Sequence, residues 1–481
     1  MAERMLKFTV TPRATPEKRD AGARSGDFHE IYREFIDAKA SEQASRCSQC
    51  GVPFCQTHCP LHNNIPDWLR MTAEGRLEEA YQLSQATNSM PEVCGRICPQ
   101  DRLCEGNCVI EQSGHGTVTI GAVEKYLTDK AWEMGWVKPL QPGAERGQSV
   151  GIVGAGPAGL AAAERLRELG YAVTVYDRHD RPGGLLVYGI PGFKLEKEVV
   201  ERRTRRLAEG GVTFVLNFEV GRDATLAELR ERHDSLLVAT GVYAARDMPL
   251  PGAGSTGVVP ALDYLIAANR VGLGDAVPDF ASGRLDAKGK AVVVVGGGDT
   301  AMDCVRTAIR QGATSVTCLY RRDRANMPGS DREVAHAMEE GVVFEWLAAP
   351  RAVTGDALKA AGVVAARMRL GAPDASGRQA PEEIPGGDFD LSADLVIKAL
   401  GFDPEDLPGA FAAPELAVTR WGTVKADIRN LMTSIPGVFA AGDIVRGASL
   451  VVWAIRDGRD AAEAMHRYLM AHAAADLIAA E

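Results

Sequence analysis

The chain has 481 residues and a formal charge of −10, with 54 lysines and arginines against 64 aspartates and glutamates. This length fits about three domains, each with its own core. The acidic balance argues against nucleic-acid partners, which basic surfaces attract. No apolar run reaches about 18 residues, so we expect no membrane span. The first residues, MAERMLKFTV, lack a secretory apolar core, and we expect a cytoplasmic protein.

The region before about residue 145 is predicted to be mostly helical. Asn64 is placed to cap a helix that has Pro66 in its first turn. The stretch 139–148 is rich in turn-forming residues and is typical of a linker. In a second predicted helix, one face carries Leu77, Ala80, Tyr81 and Ser84.

Cysteine is the most unevenly distributed residue: eight of the ten lie between Cys47 and Cys108, while Cys304 and Cys318 stand alone later. Clustered cysteines in a cytosolic chain indicate metal or redox cofactors before disulfides. The first group is Cys47, Cys50, Cys55 and Cys59, at intervals x2, x4 and x3. The second group is Cys94, Cys98, Cys104 and Cys108, at intervals x3, x5 and x3.

Eight thiolates match two four-cysteine iron–sulfur clusters, whose ligands must lie on short, turning segments. In two-cluster ferredoxins the last cysteine of such a run binds the other cluster, and we expect the same crossing here. Structural zinc is the alternative, although zinc sites usually pair short hooks such as C-x2-C, and only one occurs here. The first predicted cluster takes Cys47, Cys50, Cys55 and Cys108. The second takes Cys59, Cys98 and Cys104, with Cys94 as fourth ligand.

After the linker, short β-branched runs alternate with amphipathic helices. The segment 149–177, SVGIVGAGPAGLAAAERLRELGYAVTVYD, is predicted as a strand, a glycine turn, a helix closed by Gly170 and a second strand. The segment 290–322 repeats this plan, with Gly312 closing its helix. Two such units predict two doubly wound domains with parallel sheets.

The first glycine turn is Gly154-x-Gly156-x-x-Gly159, between a strand and a helix. Glycines there let the backbone approach a pyrophosphate, which then lies on the positive helix N-terminus. Asp177 ends the second strand, where an acid binds a ribose hydroxyl. A turn needed only for packing is the alternative, but the strand, helix and acid together favour a dinucleotide.

The second turn, GGGDTA, is followed by a strand that ends in Arg321 and Arg322 where the first unit ends in Asp177. Arginines can bind the 2′-phosphate of NADPH, which an acid would repel, so the sequence predicts NADPH. Ordinary surface charges are the alternative for these two arginines. We expect Asp299 and Thr300 to cap the following helix and touch the pyrophosphate. The predicted NADPH contacts are Gly296, Gly298, Asp299, Thr300, Arg321 and Arg322.

Three further segments, 181–184 (RPGG), 236–241 (LLVATG) and 437–443 (GVFAAGD), resemble the fingerprints of flavoproteins with two dinucleotide domains. The resemblance implies an α/β architecture like that of glutathione reductase. In this chain the helical iron–sulfur domain is followed by two Rossmann-like domains. The first binds FAD, the inserted second binds NADPH, and Asp443 contacts the flavin ribityl chain. The implied domains are 1–145 (two [4Fe–4S] clusters), 146–242 and 403–481 (FAD), and 243–402 (NADPH). The implied FAD contacts are Gly154, Gly156, Gly159, Asp177, Arg178, Gly184, Thr240, Gly241, Gly442 and Asp443.

Disulfide reductases of that family need a redox cysteine pair beside the flavin. The corresponding segment, RPGGLLVYGIPGFKL, contains no cysteine, and Cys304 and Cys318 do not form a C-x-x-C pair. We predict that both are buried in the core. Thioredoxin- or glutathione-type chemistry is therefore not expected.

The cysteine spacings, GAGPAGL, GGGDTAMD, the segment 320–342 and AAGD together resemble the small-subunit family of bacterial NADPH-dependent glutamate synthase over nearly the whole chain. The resemblance implies that FAD takes hydride from NADPH and that electrons pass through two [4Fe–4S] clusters to a large α subunit. That subunit carries FMN and iron–sulfur, and makes two L-glutamate from L-glutamine and 2-oxoglutarate in ammonia assimilation. No catalytic side chain is implied, because FAD carries the hydride.

Two alternatives stay open at this point. In related proteins such as dihydropyrimidine dehydrogenase a Gln or Glu replaces one cysteine ligand, and Glu124 stands at that place, so Glu124 competes with Cys94. An NADPH–ferredoxin-type electron-transfer subunit of the same architecture is the alternative function. A zinc-stabilised flavin sensor or interaction module is a third hypothesis.

Overall fold

A computed structural model describes residues 4–356, 359–375, 377 and 379–480. Within this part of the chain, the region before the first strand is helical, as predicted. Its helices are α1 (Ala21–Arg24), α2 (Asp37–Ala44), α3 (Phe54–Thr57), α4 (Ile65–Glu74), α5 (Leu77–Thr87), α6 (Pro91–Ile97), α7 (Val109–Gln112) and α8 (Ile120–Glu133).

Local chemistry explains where these helices begin and what they bury. Asn64 is the N-cap of α4, as predicted, but its side chain donates to Asp67 Oδ2 at 2.9 Å and accepts nothing from the helix backbone. The predicted face of α5 is confirmed, because Ala80, Tyr81 and Ser84 are buried. Trp68 of α4 is completely buried and anchors the core of this cysteine-bearing module.

The remaining elements alternate between strands and helices. Those of the first βαβ region are β1 (Ser149–Val153), α9 (Pro157–Glu168), β2 (Ala172–Tyr176), α10 (Leu185–Tyr188), α11 (Lys197–Glu209), β3 (Thr213–Val215), α12 (Leu226–Arg232) and β4 (Ser235–Val238). The next are β5 (Ala244–Ala245), β6 (Val258–Pro260), α13 (Ala261–Gly272), α14 (Pro278–Ala281), β7 (Ala291–Val295), α15 (Asp299–Gln311), β8 (Ser315–Tyr320), α16 (Asp331–Glu339) and β9 (Val343–Trp346). The last are β10 (Ala348–Asp356), β11 (Lys359–Pro373), β12 (Gln379–Ser392), β13 (Leu395–Lys398), β14 (Phe402–Asp403), α17 (Leu407–Ala410), β15 (Val438–Ala440), α18 (Asp443–Arg446) and α19 (Val451–Ala480).

Two five-stranded parallel sheets carry the two predicted units. The first sheet has the order β15-β4-β1-β2-β3, and the second has the order β6-β13-β7-β8-β9. Each therefore places its glycine-turn strand, β1 or β7, at the centre. Because β15 pairs with β4, the chain returns to the first sheet after it completes the second.

A three-stranded antiparallel sheet, β10-β11-β12, extends from the second parallel sheet. The alternating burial of β11 shows that one face of this hairpin packs on the domain. The βαβ pattern carries no signal for an insertion of this kind, so this antiparallel sheet was not predicted.

Buried ion pairs join the cysteine module to both sheets. Arg203 of α11 donates from Nε and Nη2 to the two carboxylate oxygens of Glu92 in α6, each at 2.8 Å. Arg24 is buried and donates from Nε to Glu340 Oε1 at 3.0 Å. Breaking a buried pair leaves an uncompensated charge and typically costs about 3 to 5 kcal/mol. These pairs therefore favour one arrangement of the three parts.

No helix in the described part of the chain is both long enough and apolar enough to cross a bilayer.

Candidate functional site

The first glycine turn lies at the carboxyl end of β1, where α9 begins. A side chain at Gly159 would clash with the carbonyl oxygen of Gly154, so the helix can pack this closely only with glycine there. Gly156, the N-cap of α9, faces open space instead, with no atom within 4 Å of the place where a side chain would begin. This cradle at a helix N-terminus fits a pyrophosphate group.

Other predicted FAD contacts surround that cradle. A side chain at Gly184 would strike the backbone of Gly156, and Thr240 adjoins Gly154 in the turn after β4. Gly442, at the start of α18, faces Ala158 of α9. The fold thus brings these fingerprints, which are far apart in sequence, to one edge of the first sheet.

Asp177 lies inside the same turn, with its carboxylate held by the backbone. Its Oδ2 accepts from the Ala155 amide at 2.7 Å and its Oδ1 from the His179 amide at 2.8 Å. A carboxylate has about four acceptor positions, so capacity for ribose hydroxyls remains. The next residue, Arg178, pairs with Glu405 at 2.9 and 3.1 Å. Its guanidinium lies over the ring of Tyr243, 4.7 Å from the ring centre.

Asp443 follows β15 and carries the clearest sign of a missing partner. Its Oδ1 is buried and has no hydrogen-bond partner in the described structure. Burial raises the pKa of this carboxyl group to about 6. An orphaned carboxylate oxygen of this kind fits a hydroxyl donor such as that of a ribityl chain.

The second glycine turn opens onto a cavity of about 700 Å³. Most of the predicted NADPH contacts line this one cavity, namely Gly296, Gly298, Thr300, Arg321 and Arg322. Gly298 also faces open space, as Gly156 does in the first turn. Arg322 Nε is buried and has no partner in the described structure, so this donor is available to an anion.

Asp299 corrects one expectation. It is the first residue of α15, the N-cap is Gly298, and no side chain caps this helix. Its Oδ1 instead accepts from the Ser330 amide at 2.9 Å. Asp299 therefore connects a neighbouring loop to the glycine turn by a hydrogen bond. No local sequence pattern predicts this contact.

The first cysteine set consists of Cys47, Cys50, Cys55 and Cys108. Burial raises the pKa of Cys55 to about 12, and the neighbouring thiols of Cys47, Cys108 and Cys50 act in the same direction. Burial likewise raises the pKa of Cys47 to about 11. Cys108 thus lies beside the first group although it follows the second in sequence, which agrees with the predicted crossing. Thiols of this kind become thiolates when a metal supplies positive charge.

The second cysteine set lines a small buried cavity of about 30 Å³ beside α19. Burial is the main cause that raises the pKa of Cys59 to about 11 and that of Cys104 well above its usual value. The ligating candidates on the cavity wall are Cys59, Cys94, Cys98, Cys104 and Glu124. Both candidates for the fourth ligand are therefore present at the site.

Glu124 is central to this set. Its charge helps to raise the pKa values of Cys59, Cys98 and Cys104. Burial raises the pKa of Glu124 to about 8. Its Oε1 accepts from Asn88 Nδ2 at 3.3 Å, so the carboxylate has few hydrogen-bond donors around it.

Other candidate ligands are placed outside the two sets. His58 and His62 are exposed and contact Phe54 O and Arg456. Cys304 and Cys318 are fully buried in the second domain, which confirms their prediction as core residues. In the described residues, no group of three or more His, Cys, Asp or Glu side chains has the spacing to hold a single ion.

A cavity of about 150 Å³ lies between the second glycine turn, the second cysteine set and the start of α19. Its wall combines Thr300 of the second turn with Val451 at the start of α19 and Cys98 of the second cysteine set. Lys194 and Asp303 also line it, and they form an ion pair of 2.8 Å between the two dinucleotide-binding regions. Sequence reasoning missed this pair, because its members belong to different βαβ regions; the only signal is their proximity to the glycine turns.

Comparison with known proteins follows this division of the chain. Residues 24–136 match the family model described as dihydropyrimidine dehydrogenase domain II, 4Fe-4S cluster. Residues 148–458 match the pyridine nucleotide-disulphide oxidoreductase family. The glutamate synthase [NADPH] small chain of Azospirillum brasilense is 68% identical over 480 residues, which cover 100% of this chain and 99% of that protein. The chain belongs to the glutamate synthase small-chain family.

Membership of the small-chain family is supported by more distant relatives. The glutamate synthase [NADPH] small chain of Escherichia coli strain K12 is 45% identical over 477 residues, which cover 98% of this chain and 100% of that protein. A solved structure, FprA of Mycobacterium tuberculosis in complex with NADPH, covers 69% of this chain and 86% of its own, with a TM-score of 0.58 and 21% identity. That likeness confirms the predicted flavoprotein fold. The protein is an oxidoreductase subunit of α/β architecture with a 4Fe-4S domain.

Proposed function

We propose that this chain brings electrons into glutamate synthase through FAD on the first sheet, NADPH on the second and two [4Fe–4S] clusters in the cysteine module. The cavity shared by Thr300, Val451 and Cys98 carries this proposal, since it joins the second glycine turn and the second cysteine set to the start of α19, the helix that packs on α9 of the first sheet. When bound, NADPH supplies a hydride, FAD accepts two electrons and can release them singly, and each cluster carries one. The domain limits stay as predicted: 1–145, 146–242 with 403–481, and 243–402.

The protein residues bind and orient in this proposal, and none acts as nucleophile or general base. The cradle at Gly156 and the orphaned Asp443 Oδ1 support FAD on the first sheet. The cradle at Gly298 and the unpartnered Arg322 Nε support NADPH on the second. Asp177 retains free acceptor positions for a ribose.

The two cysteine sets are assigned to two clusters, and we choose Glu124 over Cys94 as fourth ligand of the buried one. The choice rests on their contacts: the Cys94 thiol donates to Asn88 Oδ1 at 3.8 Å, whereas Glu124 is a buried carboxylate on the wall of the same cavity. A carboxylate is a harder ligand than a thiolate, which gives the two clusters different chemistry.

The surroundings of the two sets also order them. Cys98 lies at the junction cavity, so the second set belongs on the flavin side. The first set is flanked by apolar surface, with Val52 66% and Phe54 44% exposed. We place it on the side of a large subunit that carries FMN and iron–sulfur and forms glutamate from glutamine and 2-oxoglutarate. The proposed location is the cytoplasm, where thiols stay reduced.

The test is anaerobic purification of the holoprotein with and without its large partner. NADPH oxidation that depends on glutamine plus 2-oxoglutarate, and only with the partner present, supports the proposal. Ferredoxin-dependent turnover without glutamine would favour an NADPH–ferredoxin subunit instead. Zinc without iron or sulfide in metal analysis would establish the zinc hypothesis and exclude the electron path.

Nucleotide preference tests the second site separately. Replacing both arginines, Arg321→Ala with Arg322→Ala, should weaken NADPH about 10- to 100-fold, because charge-assisted hydrogen bonds contribute about 1.5 to 3 kcal/mol. The affinity for NADH should stay unchanged. Equal losses for both nucleotides would contradict a 2′-phosphate role.

A further inference from the structure

A loop of the second domain, residues 327–330, connects the NADPH turn to the cysteine module. On one side, the Gly329 amide donates to the Gly297 carbonyl at 2.8 Å, and the Ser330 amide donates to Asp299 Oδ1 at 2.9 Å. Both acceptors belong to the second glycine turn or to the residue that follows it. The loop and the turn are thus hydrogen-bonded to each other, so the position of the loop affects the shape of the turn.

On its other side, the loop is held by Arg102. This guanidinium donates from Nη1 to the Pro328 carbonyl at 2.6 Å and from Nη2 to the Gly329 carbonyl at 2.8 Å. Arg102 lies between Cys98 and Cys104, two proposed ligands of the buried cluster. The Gly329 carbonyl therefore accepts from Arg102 of the cysteine module, and the Gly329 amide donates to the second glycine turn.

A second arginine makes the reverse connection. Arg332, in the first turn of α16, donates from Nη1 to Gln100 Oε1 at 2.8 Å and from Nη2 to the Arg96 carbonyl at 3.3 Å. The amide of Gln100 donates in turn to the Cys94 carbonyl at 3.1 Å and to the Gly95 carbonyl at 3.2 Å. We call Arg102 and Arg332 together the arginine clasp.

We propose that the arginine clasp positions the second glycine turn for the pyrophosphate of NADPH, with Arg102 as the main positioning residue. Arg102 lies in the wall of neither the 700 Å³ nor the 150 Å³ cavity, whereas Arg332 lines the latter, so Arg102 acts through the loop and not on the nucleotide. A guanidinium suits this role because its rigid fork reaches two adjacent carbonyls. By thermodynamic linkage, if the clasp increases the affinity for the nucleotide, the bound nucleotide stabilises the clasp by the same free energy. The inference rests on the proposed NADPH site.

The test compares two probes on the holoprotein, with intact clusters and flavin checked by visible absorption. NADP⁺ spans the pyrophosphate turn, whereas 2′-AMP carries only the adenosine and the 2′-phosphate. Arg102→Ala should weaken binding of NADP⁺ about five- to tenfold in calorimetry, in the range of one ordinary hydrogen bond, and leave 2′-AMP within about twofold. Arg332→Ala should act in the same direction.

Hydrogen exchange gives a readout that does not depend on activity. In Arg102→Ala the amides of Gly329 and Ser330 should exchange faster, and NADP⁺ should no longer protect the segment 98–107. The matched control is Arg324→Ala, an exposed arginine of the same region whose side chain contacts Met338 and Asp331 and not the second glycine turn. It should change neither measurement. If Arg102→Ala loses its clusters, Arg102→Lys keeps the charge without the fork and should weaken NADP⁺ by a smaller factor.

Unchanged NADP⁺ affinity and exchange in Arg102→Ala would overturn the clasp. Equal weakening of NADP⁺ and 2′-AMP would also overturn it, since that result indicates a general disturbance of the domain. A wild-type holoprotein that binds neither probe would instead overturn the proposed NADPH site. The two failures are thus distinguishable.

Discussion

The two cysteine sets have nearly the same ligands but very different surroundings. Each set has partly exposed cysteines, Cys50 and Cys55 in the first and Cys59 and Cys104 in the second, but the first set lies beside the exposed apolar side chains of Val52 and Phe54. The second set encloses a cavity of about 30 Å³ that also touches α19. Burial, hydrogen bonding and solvent exposure tune iron–sulfur potentials. The comparison teaches that position in the fold, together with the proposed carboxylate ligand, distinguishes the inner cluster of the second set from the outer cluster of the first.

Ligand removal should give the largest effects and tests this division directly. Cys104→Ser should lose the inner cluster and abolish electron delivery to the large subunit, while NADPH still reduces the flavin. Cys55→Ser should lose only the outer cluster and leave the inner one reducible by NADPH. Iron analysis and electron paramagnetic resonance of the NADPH-reduced protein measure both. Cys304→Ser, in neither set, is the control, and identical spectra for the two ligand variants would break the comparison.

The fourth ligand of the inner set is the next sharpest distinction. Glu124→Ala should reduce the iron content to about half, because one of the two proposed clusters loses a ligand. Cys94→Ser should retain both clusters, since its thiol is not required in the proposed set. The reverse pattern in iron and sulfide analysis would assign ligation to Cys94.

Acid–base behaviour should also separate the sets once iron is removed. Burial raises the pKa of Glu124 from 4.5 to about 8, so the folded protein retains a proton that the unfolded chain has lost. The free energy of unfolding should therefore fall as pH rises from about 4.5 to 8, by up to about 4 to 5 kcal/mol. Glu124→Gln should remove the part of this slope above about pH 6.5, where Asp443, with a pKa of about 6, is already mostly ionised, in urea unfolding at about pH 6.5 and pH 8.

The outer set supplies the matched comparison for this experiment. Burial raises the pKa of Cys47 to about 11 and that of Cys55 to about 12, so these thiols titrate above the same window. Cys55→Ser in the iron-free protein should leave the slope between pH 5 and 8 unchanged. A slope that survives Glu124→Gln would show that another group causes it.

The smallest effect is expected at the surface of the outer set. Phe54→Glu should weaken assembly with the large subunit about tenfold, as for an interface residue worth more than about 1 kcal/mol. NADPH-driven reduction of the clusters within this chain should be unaffected. Ile428→Glu changes an apolar residue that is 93% exposed elsewhere, and serves as control in a binding titration. Equal loss in both variants would argue against this docking side.

Sequence patterns predicted the parts of the molecule that repeat a general physical solution. Glycine turns between strand and helix predicted both parallel sheets. Helices α9 and α15 end just before Gly170 and Gly312, as expected. Contacts between segments that are distant in the chain were not predictable. Asp299 binds the Ser330 amide instead of capping its helix, and the pair Lys194–Asp303 forms only when two βαβ regions meet. Such partners are selected by the assembled fold, and no local spacing encodes them.

The return of the chain to the first sheet has a consequence for biosynthesis. β4 ends at Val238, but its neighbour β15 begins at Val438, and α19 then packs on α9 with Gly458 against Ala158. On the ribosome, the cysteine module and the second sheet emerge while the first sheet still lacks an edge strand and a covering helix. Domains generally fold as they are completed, from the N-terminus onward. The part of the molecule that holds Asp443 is therefore finished last, and we expect flavin binding to follow the completion of the first sheet.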